Sequence, residues 1–200
     1  MVGEATAAHP DKPVEVWATD LPSRSPLRRA EEGEHRLGLK PVRRRVLAPI
    51  GQRPIALGHH RYEWLHVTAF VEPATGQVVW YLANRLSKAF FEALLAAFAA
   101  EIGAGLTRIV VLVLDNAGWH TPEGLAVPDG IRLVFLPPYS PELQPAECLW
   151  PLLDEPIVNR HFATIEDLDT VIAERCNRLD PAAVAPHTAF NWWPTKIRPN

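Results

Sequence analysis

The sequence predicts an α/β fold, a mixed sheet that begins with antiparallel pairs and ends with crossover-connected strands, flanked by helices. Three observations carry the prediction. Two apolar-rich runs, residues 64–71 and 77–82, flank Glu72-Pro73-Ala74-Thr75-Gly76, which reads as a β-hairpin. Residues 108–114 (RIVVLVL) are almost wholly aliphatic, as expected of a strand buried on both faces. Between them Phe90, Phe91, Leu94, Leu95, Phe98 and Ile102 recur at helical spacing, so a helix separates the hairpin from the buried strand.

Taken in order, residues 14–20 (VEVWATD) alternate apolar and polar and read as a half-buried strand ending in Asp20. Residues 21–33, with two Pro, two Ser, three Arg and a closing Gly, read as a long loop. Residues 43–47 and 54–57 flank Pro49-Ile50-Gly51-Gln52, a second hairpin pattern. Ser87 is a suitable N-cap for a helix over residues 88–102, and Gly103 and Gly105 end it. A strand over 131–136 stops at Pro137-Pro138, which cannot continue a ladder. Two helices are predicted near 141–158 and 165–177, the first capped by Ser140 with Pro141 at its first position and Glu147 about two turns inside. Residues 1–13 are expected to be a flexible N-terminus, 14–194 one domain and 195–200 a tail.

A chain of 200 residues, 48% hydrophobic, can bury one substantial core. No apolar run approaches a membrane span, and the first residues lack a basic flank followed by an apolar block, so a cytoplasmic protein is expected. Cys148 and Cys176 have neither CxxC nor Cys/His spacing, which points to free thiols. The net charge of −3 hides an asymmetry: residues 24–53 hold nine Lys or Arg against three Glu. A basic arm on an acidic body suits a polyanion, because clustered arginines neutralise phosphates and release counterions.

Asp115 ends the buried strand, and Glu147 lies on the helix after the next one. An Asp at a central strand end and a Glu on a following helix, with no Lys or Arg close in sequence, suit a hard divalent cation such as Mg2+ or Mn2+. The apolar run ending in Asp115 also resembles the metal-binding strand of P-loop ATPases, but no G-x-x-x-x-G-K-[ST] accompanies it. Gly103-Ala104-Gly105 precedes a strand, which excludes a dinucleotide fingerprint.

LVLDNAGWH at 112–120 and FLPPYSPELQPAECLW at 135–150, with EHRLGLKPVRRRVLAPIGQRP at 34–54 and NRHF at 159–162, resemble the DDE transposases of bacterial insertion sequences, in the branch related to mariner elements. The resemblance spans nearly all of residues 14–194. It implies a ribonuclease H-like (retroviral integrase-like) domain whose Asp, Asp, Glu triad holds two Mg2+ or Mn2+ ions and cleaves and joins DNA at the element's ends. By motif the second acid is Asp115 and the third Glu147. The first is expected directly before Glu34, where this chain has Gly33; Asp20, on its own strand pattern, is the expected replacement. DNA contacts are expected from Arg36, Lys40, Arg43, Arg44, Arg45, Asn116 and His120. Trp119 and Tyr139 are expected to pack, and His59, His60 and His66 receive no role. The resemblance further implies a helix-turn-helix region that recognises the terminal repeats, here expected from a separate polypeptide, and a homodimer that joins two DNA ends. The competing expectation is an inactive remnant that binds DNA or a transposase partner without cutting it.

Overall fold

The computed structural model describes residues 28–52, 54, 55, 57, 61–115, 124–137, 140 and 143–190. Five strands, β1 (Arg28–Gly38), β2 (Trp64–Glu72), β3 (Gln77–Ala83), β4 (Val110–Leu114) and β5 (Ile131–Phe135), form one sheet in the order β3-β2-β1-β4-β5. The β3-β2-β1 half is antiparallel, and β4 runs parallel to both β1 and β5. The predicted hairpin is β2-β3, closed by bonds from the Thr75 and Gly76 amides to the Glu72 carbonyl.

Helix α1 (Lys88–Ile102) starts where Ser87 accepts a bond from the Phe90 amide and ends at Gly103, whose φ of 66° is left-handed. It covers the sheet face that carries Phe70 and Tyr81: Phe70 stacks on Phe98 at 4.0 Å, and the Tyr81 hydroxyl donates to Glu101. The opposite face is covered by a 3-10 turn (Pro145–Leu149) and by helices α2 (Trp150–Asp154), α3 (Ile165–Arg178) and α4 (Pro181–Thr188). β4 is buried at all five positions, as its unbroken aliphatic pattern requires.

Four expectations are corrected. The predicted loop over 21–33 is strand from Arg28 onward, and that strand is central, with β2 on one side and β4 on the other. Its interior is occupied by Glu31, Glu32 and Gly33, all buried, so hydrophobic alternation could not announce it. The predicted hairpin over 43–57 has its turn, with the Gln52 amide bonded to the Pro49 carbonyl, but no ladder among the described residues. Pro41, Pro49 and Pro54 remove donors there, and the segment is an exposed arm on which Leu47, Ile50 and Ile55 face solvent. Where a helix is expected over 141–158, the described residues form a 3-10 turn at Pro145–Leu149 that becomes α-helical only at Trp150; Pro145 and Pro151 each withdraw an amide donor. Finally α4 was not anticipated, although Asp180 caps it and Pro181 occupies its first position.

Candidate active site

Asp115 directly follows β4 and is half-buried, as a carboxylate at a central strand's end should be. The β1–β4 register runs from Arg28 beside Val110 to Glu31 beside Val113. Continued by two residues, it sets Gly33 beside Asp115. The position on β1 next to the strand-end Asp therefore carries no side chain. Asp20, the expected first acid, lies outside the described residues, as do Asn116, Trp119, His120, Tyr139, His59 and His60.

Alternation along β1 puts Glu31, Gly33 and His35 on one face and Glu32 and Glu34 on the other. The first set meets the 3-10 turn and α2. The Glu31 Oε2 accepts a bond from the Ala146 amide at 3.3 Å, and His35 stacks on Trp150 at 4.7 Å with its Nε2 2.9 Å from Asp154 Oδ1. These contacts fix the turn against β1 and leave Glu147, the residue after Ala146, exposed at its first turn rather than two turns inside a helix.

Glu31 is the most unusual residue of this face. It is fully buried, and its Oε1 has no hydrogen-bond partner among the described residues. Removal from water pushes its carboxyl well above the usual range; the Ala146 amide opposes that rise, while Cys148, Glu147 and Glu32 reinforce it. A cation arriving here would satisfy the open oxygen and relieve repulsion between Glu31 and Glu147. Hard oxygen donors at a strand end suit Mg2+ or Mn2+. Among the described residues no three acids, histidines or cysteines yet stand within ligating range.

The basic arm is partly tied down. Asn159, at a φ of 55°, exchanges bonds with the Arg44 backbone in both directions at 3.0 Å, and its amide bonds the Val42 carbonyl at 2.8 Å. Arg44 also pairs with Glu155 at 2.6 Å. Arg36 lies over the Trp64 ring at 4.4 Å, which polarises the aromatic face while the residue stays exposed. Lys40, Arg43 and Arg45 are exposed on the same stretch. The NRHF motif is thus a structural clamp on the arm, and Phe162 is buried in the core beneath it.

Residues 34–169 match the family model described as DDE superfamily endonuclease. The chain belongs to that family. The matched segment begins one residue after Gly33, so it includes Asp115 and Glu147 but neither Asp20 nor Glu31. An uncharacterized protein of Sinorhizobium fredii, y4pE/y4sA, is 45% identical over 83 residues, which is 40% of this chain and 62% of that protein. Among solved structures, the pre-cleavage Mos1 transpososome matches with a TM-score of 0.60 at 14% identity, over 80% of this chain and 52% of that one. The Mos1 transposase paired-end complex with left transposon end matches at 0.58 and 16%, over 82% and 53%. The mariner Mos1 paired-end complex with Mg matches at 0.59 and 16%, over 80% and 51%. The chain therefore spans about half the length of these transposases. At such identity the likeness establishes the fold: this DDE domain is a ribonuclease H-like mixed sheet flanked by helices. Among its described residues, no helix is long and apolar enough to cross a membrane.

Proposed function

We propose that residues 14–194 are the catalytic domain of a transposase that cleaves DNA at insertion-sequence ends and joins it to a target, using two Mg2+ or Mn2+ ions. The observation that carries this reading is the place of the two motif acids in the fold: Asp115 directly follows central β4, and Glu147 lies on the turn whose Ala146 amide bonds Glu31 of β1. Membership of the endonuclease family supports it, and so does the likeness to Mos1 transposase complexes with a transposon end, with Mg and with Mn.

Asp115 and Glu147 would hold the ions together with a third acid from the N-terminal part of the chain, for which Asp20 is the sequence-based candidate. Held by these acids, Mg2+ or Mn2+ would supply the Lewis acidity that favours ionisation of the attacking water or 3′-hydroxyl and charge build-up on the departing oxygen. The chain's own groups do the rest. Arg36, Lys40, Arg43, Arg44 and Arg45 bind phosphates along the arm, and Asn116 and His120, which follow Asp115, orient its carboxylate or touch a phosphate. DNA is the substrate, in the cytoplasm. A second copy of the chain supplies the second active site needed to join two ends, and a separate helix-turn-helix polypeptide reads the terminal repeats.

One observation favours a second reading. Gly33 beside Asp115 is what an inactive remnant that only binds DNA or a partner would carry. The two separate in a nicking and strand-transfer assay with Mn2+ or Mg2+ and element-end DNA, supplemented with any upstream-frame product. The enzyme reading expects metal-dependent cleavage that falls at least ~100-fold in Asp115→Asn and in Glu147→Gln. Binding without cleavage at any metal concentration would leave the remnant.

A further inference from the structure

We propose that Glu31 is the acid that β1 contributes to the metal centre, standing in for the side chain that Gly33 lacks. The inference rests on the metal-dependent reading above. Glu31 precedes Gly33 by two residues, so the two share a face of the strand, and the β4 register sets Glu31 beside Val113, two residues before Asp115. One oxygen is anchored to the Ala146 amide, next to Glu147, which holds the carboxyl toward the third acid of the motif. The other oxygen is buried and has no hydrogen-bond partner among the described residues. A buried acceptor is normally paired, and since none of the described residues pairs this oxygen a cation can take that place.

Position explains why glutamate serves. Glutamate carries one more methylene than aspartate, so an acid set back by one pleat still extends toward the strand end. Glu32 lies on the α1 face, where Phe70 is its cross-strand partner, and cannot substitute. The 3-10 turn is held to β1 by the Ala146 amide, and His35 with Trp150 and Asp154 braces the neighbouring α2, so the backbone that carries Glu31 and Glu147 is fixed on both sides.

Mn2+ alone, titrated into the whole chain while the free ion is counted by electron paramagnetic resonance, tests this without reference to catalysis. Thermal unfolding checks that each variant is folded. Glu31→Gln keeps the size and the acceptor for the Ala146 amide, and is expected to weaken Mn2+ uptake at least tenfold, and by more than Asp20→Asn does. Adding Gly33→Asp to Glu31→Gln is expected to restore uptake, because an aspartate then stands beside Asp115. If Asp20→Asn loses Mn2+ and Glu31→Gln does not, the proposal is overturned while the transposase reading stands. If Gly33→Asp takes up Mn2+ where the wild type does not, the proposal is overturned in favour of the remnant. If neither takes up Mn2+ and Asp115→Asn changes nothing, the metal-dependent reading itself falls.

Discussion

Cys176 lies on the buried side of α3, where removal from water pushes its thiol up to about 12. The fold thus favours the neutral thiol. Its contribution is fully present below the unfolded thiol's 9.0 and is lost as pH rises from there toward 12. Cys148, on the 3-10 turn, is only half-buried, although burial and Glu147 also raise its thiol. Iodoacetamide at about pH 8.5 should therefore label Cys148 first and Cys176 only on unfolding. Peptide mass spectrometry that found both labelled at one rate in native protein would contradict this burial. At the same scale, the place of Asp115 at a strand end was legible from an aliphatic run with an abrupt acidic end, and a proline-marked helix start singled out Glu147, which the structure puts on a 3-10 turn. Glu31 was not. RRAEEGEHRLG looks like a solvated loop, and only pairing with β2 and β4, which no local pattern reveals, makes it a central strand. The alternation in VEVWATD, outside the described residues, is what makes Asp20 the expected first acid.

Among the elements, β2, β3, α1, β4 and β5 were readable because each buries a periodic apolar face behind a recognisable turn or cap. The short α4 escaped because its pattern is weak and Pro186 lies inside it. Its seat is nonetheless tight. Gly76 has a φ of 72°, and a Cβ there would collide with the Pro181 carbonyl and the Ala185 backbone. Gly76→Ala is expected to cost at least ~2 kcal/mol, through left-handed strain and displacement of α4. Asp180→Ala should cost only about 1 kcal/mol, because it removes one cap. Urea unfolding of both variants checks the order, and equal costs would mean that α4 moves aside freely. The arm makes a different demand. Asn159 holds residues 42–44 by three hydrogen bonds, two of them through its side chain, so Asn159→Ala should loosen the arm at Arg44 and speed tryptic cleavage near Arg43–Arg45 about tenfold, with the unfolding midpoint little changed. An unchanged cleavage rate would show that Glu155 and the main-chain bond to Val42 suffice to hold the arm.

For the molecule as a whole, the sheet decides how the domain comes apart. β1 is gripped along Glu31–Gly38 by β2 and along Arg28–Glu31 by β4, whereas the exposed arm follows it directly. A trypsin cut near Arg45 should therefore leave two fragments that co-migrate in native size exclusion and part only in denaturant. Separation under native conditions would mean that β1 is not held as the register indicates. Retention would make the domain a natural split protein: the short N-terminal piece carries Asp20, Glu31 and Gly33, and the long piece carries Asp115 and Glu147. Synthetic versions of the short piece could then be exchanged one acid at a time against a single preparation of the remainder.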